Sequence, residues 1–154
     1  MDERALDTVA YLVRRYRLHD RLPVDISPLL ENFTVRDYNL TYRTLGFSIV
    51  MRNEVHIGVN KHLNAAQRRL TLAHESGHII SFHPDMNYTC ELNTWFKSKL
   101  EHEAQIIASY LLVPQRAACV YGDRLSAYEI ATRLDVPVSL VDLRWSQGKI
   151  WGEF

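Results

Sequence analysis

Leu70-Thr71-Leu72-Ala73-His74-Glu75-Ser76-Gly77-His78-Ile79-Ile80 holds the pattern H-E-x-x-H inside a segment whose apolar residues recur three and four apart. On an α-helix, positions four apart lie one above the other, so His74 and His78 can offer two imidazole nitrogens to one ion. Glu75, beside the first histidine, can reach a water activated by that ion without ligating it, which is the position a general base requires. Seven histidines in 154 residues make the pattern a chance event in roughly 2% of shuffled chains, before any helical context is demanded. The context is also met. Leu72, Ser76 and Ile79 with Ile80 follow the spacing of a buried helix face, and Ala73 and Gly77 are small enough for close packing on a neighbour. Glycine costs about 1 kcal/mol of helix propensity relative to alanine, so Gly77 predicts a packing or site reason for its presence. The plainer reading is a buried helix with two hydrogen-bonded histidines.

A zinc enzyme needs a third protein ligand and a fourth position open to water. A second amphipathic helix is predicted from about Ser98 to Leu112, its first turn carrying Glu101, His102 and Glu103. Glu101, Ala104, Ala108 and Leu111 share one stripe, which extends the buried face toward the H-E-x-x-H helix. Glu103 points about 160° from that stripe at 100° per residue. Glu101 is therefore the expected ligand. Glu103 is kept as a residue behind the ligands or in solvent, and either glutamate alone would also serve as a partner of the helix dipole.

Thr71-Leu72-Ala73-His74-Glu75-Ser76-Gly77-His78-Ile79-Ile80, followed by Glu101-His102-Glu103-Ala104-Gln105-Ile106-Ile107-Ala108-Ser109-Tyr110-Leu111-Leu112-Val113-Pro114, resembles the ImmA/IrrE family of zinc-dependent endopeptidases. The family's second motif reads Glu-x-x-Ala-Asn-x-Phe-Ala-x-x-Leu-Leu-Met-Pro. Here Gln105 stands for the Asn, Ile107 for the Phe and Val113 for the Met, while the Glu, both Ala and the Leu-Leu-x-Pro ending remain. The substitutions leave the metal logic intact and put any role of the Asn side chain in doubt. The resemblance implies a small zincin-like fold, zinc as the cofactor with manganese as an alternative in vivo, and an edge strand beside the metal helix that pairs with extended substrate. It also implies a protein substrate, a helix-turn-helix transcriptional repressor whose cleavage derepresses mobile-element or stress genes.

The composition, 47% hydrophobic over 154 residues, suits one well-formed core, so residues 1–154 are read as a single metallopeptidase domain. Residues 1–120 form the catalytic core, and 121–154 a helical segment packed on it. Lys and Arg total 18 against 18 Asp and Glu, which gives no global field toward nucleic acid or an anionic membrane. No stretch approaches a membrane span or a signal peptide, and a cytoplasmic location is expected. Cys90 and Cys119 are too few and too far apart for a zinc knuckle or a disulfide framework.

Taken in order, residues 2–17 predict an amphipathic helix with arginines in its last turns. Ser27 before Pro28 predicts an N-cap. Segments of about Phe33–Leu40, Phe47–Arg52 and Val55–Val59 predict strands, with turns at Gly46 and Arg52-Asn53. Together these give an α+β fold with a short mixed or antiparallel sheet under the two site helices. His56 and His62 are expected at the surface. Asn64 with Gln67 predicts a capping-box start to the metal helix, which should end by about Phe82 ahead of Pro84. His83 is either a cleft residue bonding substrate or transition state, or a helix-end residue. The segment from Asp85 to Lys97 reads as a linker rimming the cleft. Within it Tyr88 is a candidate for stabilising a tetrahedral oxyanion, or a packed loop tyrosine.

After Pro114, the segment from Asp123 to Arg144 resembles the cadence of a helix-turn-helix, with Ile130, Ala131, Leu134, Val138, Val141 and Leu143 to bury. Balanced charge argues against direct nucleic-acid contact and for packing or repressor docking. Residues 149–154 are read as a short closing strand. Two functions remain open: a zinc endopeptidase with Glu75 as base, and a non-proteolytic, metal-stabilised regulatory protein that binds a repressor or DNA.

Overall fold

Alanine and valine at helical spacing make the N-terminal segment amphipathic. It forms α1, Glu3–Arg15, burying Ala5, Leu6, Val9, Ala10 and Val13. The computed structural model describes residues 3–52, 54–81, 88–91, 99–117 and 125–147, the segment 88–91 by its backbone alone. Within these residues the chain is α+β, with helices packed against a four-stranded mixed sheet. A single 3-10 turn, Leu18–Asp20, and the short α2, Ser27–Leu30, lead into β1, Thr34–Tyr38. The cap of α2 is Ile26, without a side-chain cap bond, and the Ser27 amide instead donates to Asp25 Oδ1 at 2.9 Å. The Leu29 and Leu30 amides that a Ser27 cap would have held donate instead to the Ile26 carbonyl, at 3.0 and 3.2 Å.

Strands β2, Thr44–Met51, and β3, Glu54–Asn60, pair antiparallel, and β1 runs parallel to β3. A fourth strand, β4 (Tyr88–Glu91), pairs antiparallel with β2, so the segment expected to be only a linker supplies an edge of the sheet. The order β1-β3-β2-β4 leaves β1 and β4 outermost among the described strands. The strand over Val55–Val59 is therefore internal, and it is not an edge for substrate.

Helix α3, Ala65–Ile80, begins on the predicted capping box: the Gln67 amide donates to Asn64 Oδ1 and the Asn64 amide to Gln67 Oε1. It crosses the sheet at β2 and packs on α4, Lys99–Leu112. Helices α5, Ala127–Leu134, and α6, Val138–Ser146, form the expected helical pair, joined through Asp135 in the left-handed region at φ 53°. Their core residues are Ile130, Ala131, Leu134, Leu140 and Val141; Val138 and Leu143 are only half-buried. No helix among the described residues is long and apolar enough to cross a membrane. The expected closing strand at 149–154 lies outside the described residues.

Candidate functional site

Glycine at position 77 sets the distance between the two site helices. A Cβ there would stand 2.4 Å from the Ala104 carbonyl oxygen and 2.9 Å from its Cα, closer than any alanine tolerates. The absence of a side chain lets the backbones of α3 and α4 approach, which brings the first turn of α4 over the histidine face of α3. Three donors converge as a result. His74 Nε2 lies 3.1 Å from Glu101 Oε2, His78 Nε2 lies 3.5 Å from Glu101 Oε1, and the two Nε2 atoms are 3.2 Å apart. The imidazoles meet edge to face, at 89° with centroids 4.8 Å apart. Both are buried, whereas Glu101 keeps a little exposure at the mouth.

The electrostatics suit a cation. Burial lowers the pKa of His78, opposed by its hydrogen bond to Glu101, so the neutral imidazole, the form that can ligate a metal, is favoured. Burial alone would raise the pKa of Glu101, but hydrogen bonds and charge from His74 and His78 outweigh it and hold the carboxyl at about 2. An ionised carboxylate beside imidazole nitrogens, all within 4.8 Å of one another, is the nitrogen-and-oxygen donor set that zinc takes, with room left in a four-coordinate shell. The residues present therefore fit a metal ion. Glu103 is not part of this cluster.

Glu75 lies one residue along from the first imidazole, fully buried. Burial pushes its carboxyl up to about 8, the Ser48 side chain pulls it down, and the charge on Glu101 raises it. Neither carboxylate oxygen meets full hydrogen-bond geometry with a partner, although Ser48 stands close enough to favour the charged form. Both come from β2: Gly46, expected at a turn, lies inside the strand, and Ser48 was not singled out from the sequence. The register pairs Gly46 with Val59 and Ser48 with Ile57, both buried, so these positions share the sheet face toward α3. A Cβ on Gly46 would meet Thr71 Cγ2 at 2.6 Å and Glu75 Cγ at 3.5 Å. A Gly-x-Ser alternation in a strand preceding the metal helix was the available signal.

Of the other expected residues, His83 lies outside the described residues. Tyr88 opens β4 on the strand next to β2, and its side chain likewise lies outside what is described. His62 is exposed and meets Asn39 Oδ1 at 2.9 Å, and His56 is half-buried beside Glu54. Gln105, one turn beyond Glu101, is buried with Oε1 unpartnered among the described residues.

The model of the family described as Peptidase_M78, IrrE N-terminal-like domain, matches residues 34–146. That span contains both motifs and all four strands. The chain is also similar to the uncharacterized immunity region protein 2 of Bacillus phage phi105, 28% identical over 139 residues that cover 88% of this chain and 85% of that protein.

Proposed function

Because the chain belongs to the Peptidase_M78 family of IrrE N-terminal-like domains, we propose that it is a zinc-dependent endopeptidase. The observation that carries this reading is the convergence of His74, His78 and Glu101 beside the buried carboxylate of Glu75. His74 and His78 would hold zinc through Nε2 and Glu101 through its carboxylate. Zinc bound there acidifies water and polarises a carbonyl, and its positive charge favours the ionised form of Glu75. The work of the chain's own residues follows from their placement. Glu75 accepts a proton at a carboxylate oxygen and later returns it to the leaving amine. Its burial keeps competing water away and strengthens electrostatics around it. Among the described strands β4 is outermost, beside the strand on which α3 packs, and its far edge would offer main-chain partners to an extended peptide.

The substrate read here is a helix-turn-helix repressor. The likeness to a phage immunity-region protein supports a regulatory target. Recruitment through nucleic acid is disfavoured, because the one cation of α6, Arg144, is buried with its guanidinium 4.0 Å from the Tyr110 ring centroid. The helical pair α5–α6 serves instead to pack on α4. A soluble cytoplasmic enzyme without membrane contact is the setting this reading expects.

Glu75→Gln separates catalysis from metal binding. The variant should retain wild-type zinc and fold while cleavage of the repressor encoded beside this chain falls roughly 10²- to 10⁴-fold. Mass spectrometry of the repressor after incubation with each protein reads this out as one internal cut. A metal-loaded wild type that binds the repressor and leaves it whole would return the protein to the regulatory, non-proteolytic reading.

A further inference from the structure

On the peptidase reading, the base must present one carboxylate oxygen in one orientation, yet Glu75 has a rotatable side chain and no partner at full hydrogen-bond geometry among the described residues. The polar group that faces it comes from the sheet. Ser48 is 4% exposed on the α3-facing side of β2, two residues beyond Gly46, where an added Cβ would lie 3.5 Å from Glu75 Cγ, so the Glu75 stem runs against this stretch of the strand. Ile57, the partner of Ser48 on β3, is buried and apolar, so its side chain offers the hydroxyl no competing acceptor. Hydrogen bonds of this kind are often long in resting enzymes and tighten when the base is ionised.

We propose that Ser48 is a positioning residue for Glu75: its hydroxyl closes a hydrogen bond on one carboxylate oxygen and leaves the other directed at the His74–His78–Glu101 cluster. Serine is suited to this place because it is small enough to lie beneath a closely packed helix and can turn its hydroxyl without moving the strand. The assignment deepens the peptidase reading and rests on it for its catalytic consequence, but the contact itself does not.

The test uses the full chain in two arms. In metal-free protein at alkaline pH, the infrared carboxylate band of Glu75 is identified as the one lost in Glu75→Gln. It should shift in Ser48→Ala and return in Ser48→Thr. In zinc-loaded protein, Ser48→Ala should cleave repressor about ten-fold more slowly, with zinc content, melting temperature and KM unchanged, and Ser48→Thr should recover the rate. Ser48→Cys keeps the volume with a weak donor and takes the place of alanine if that variant does not fold. A Glu75 band that stays in place in Ser48→Ala overturns the assignment, and so does a moved band with wild-type kcat. If the wild type cuts nothing while the band moves, the contact stands and the peptidase reading falls instead.

Discussion

Two glutamates two positions apart on α4 carry opposite expectations. Glu101 lies within 3.1–3.5 Å of both imidazoles, while Glu103 is outside the cluster. Removing a ligand costs more than the roughly 10- to 100-fold typical of an outer partner, so Glu101→Ala should weaken zinc binding beyond that range and Glu103→Ala should leave it unchanged. Competition with a chromogenic chelator measures both, and the reverse order would transfer the ligand role to Glu103. The placement of Glu101 beside the histidines was legible in sequence because it depends only on helical phase: Glu101, Ala104 and Ala108 lie on one stripe, and the burial of Ala104 and Ala108 follows that phase. The environment of Glu75 was not legible, since β2 meets α3 there across a strand–helix contact that no local spacing encodes.

At the scale of elements, the site depends on how closely three backbones stack. Gly77→Ala would gain about 1 kcal/mol of helix propensity, but the new Cβ meets the Ala104 backbone at 2.4 Å, and backbone cannot rotate away as a side chain can. Overpacking of this kind costs typically about 1–3 kcal/mol, so the net effect should be destabilising. It should also loosen zinc, because α4 must retreat and take Glu101 with it. Urea unfolding with and without chelator resolves the two effects, and a variant as stable and as tightly zinc-bound as wild type would show that the helices have slack. The same closeness shapes β2, where Leu45 is buried but Phe47 and Ile49 are half-buried and Met51 is 51% exposed. The face under α3 is instead Gly46 and Ser48, because a helix carrying a buried carboxylate leaves room there only for small residues. The Asn64 capping box, by contrast, is a contact between neighbours in sequence, and it was readable for that reason.

At the scale of the whole molecule, His19 joins the N-terminal region to both C-terminal helical layers. Its Nε2 donates to the Leu111 carbonyl at the end of α4 at 3.0 Å, its own carbonyl accepts from Arg116, and Arg144 of α6 acts on its charge. Burial first, and then Arg144 and Arg116, lower its pKa from 6.5 to about 4, against the pull of the Leu111 and Tyr110 carbonyls. The unfolded chain therefore takes up this proton near pH 6.5 and the folded chain only near pH 4. Between those values the unfolded state binds more protons, so stability falls as pH falls. Above the window the contribution of the neutral imidazole is complete, and below it His19 adds no further loss. The size of the change is on the order of 3 kcal/mol. His19→Gln keeps an amide donor for Leu111 and cannot titrate, so its denaturation midpoint should decline less than that of wild type across the window. The comparison is made on metal-free protein, where the other acid-sensitive groups are common to both chains and cancel in the difference. Parallel pH profiles for the two proteins would mean that His19 is protonated without strain in the folded state, and that the junction it makes with α4 and α6 does not exclude charge.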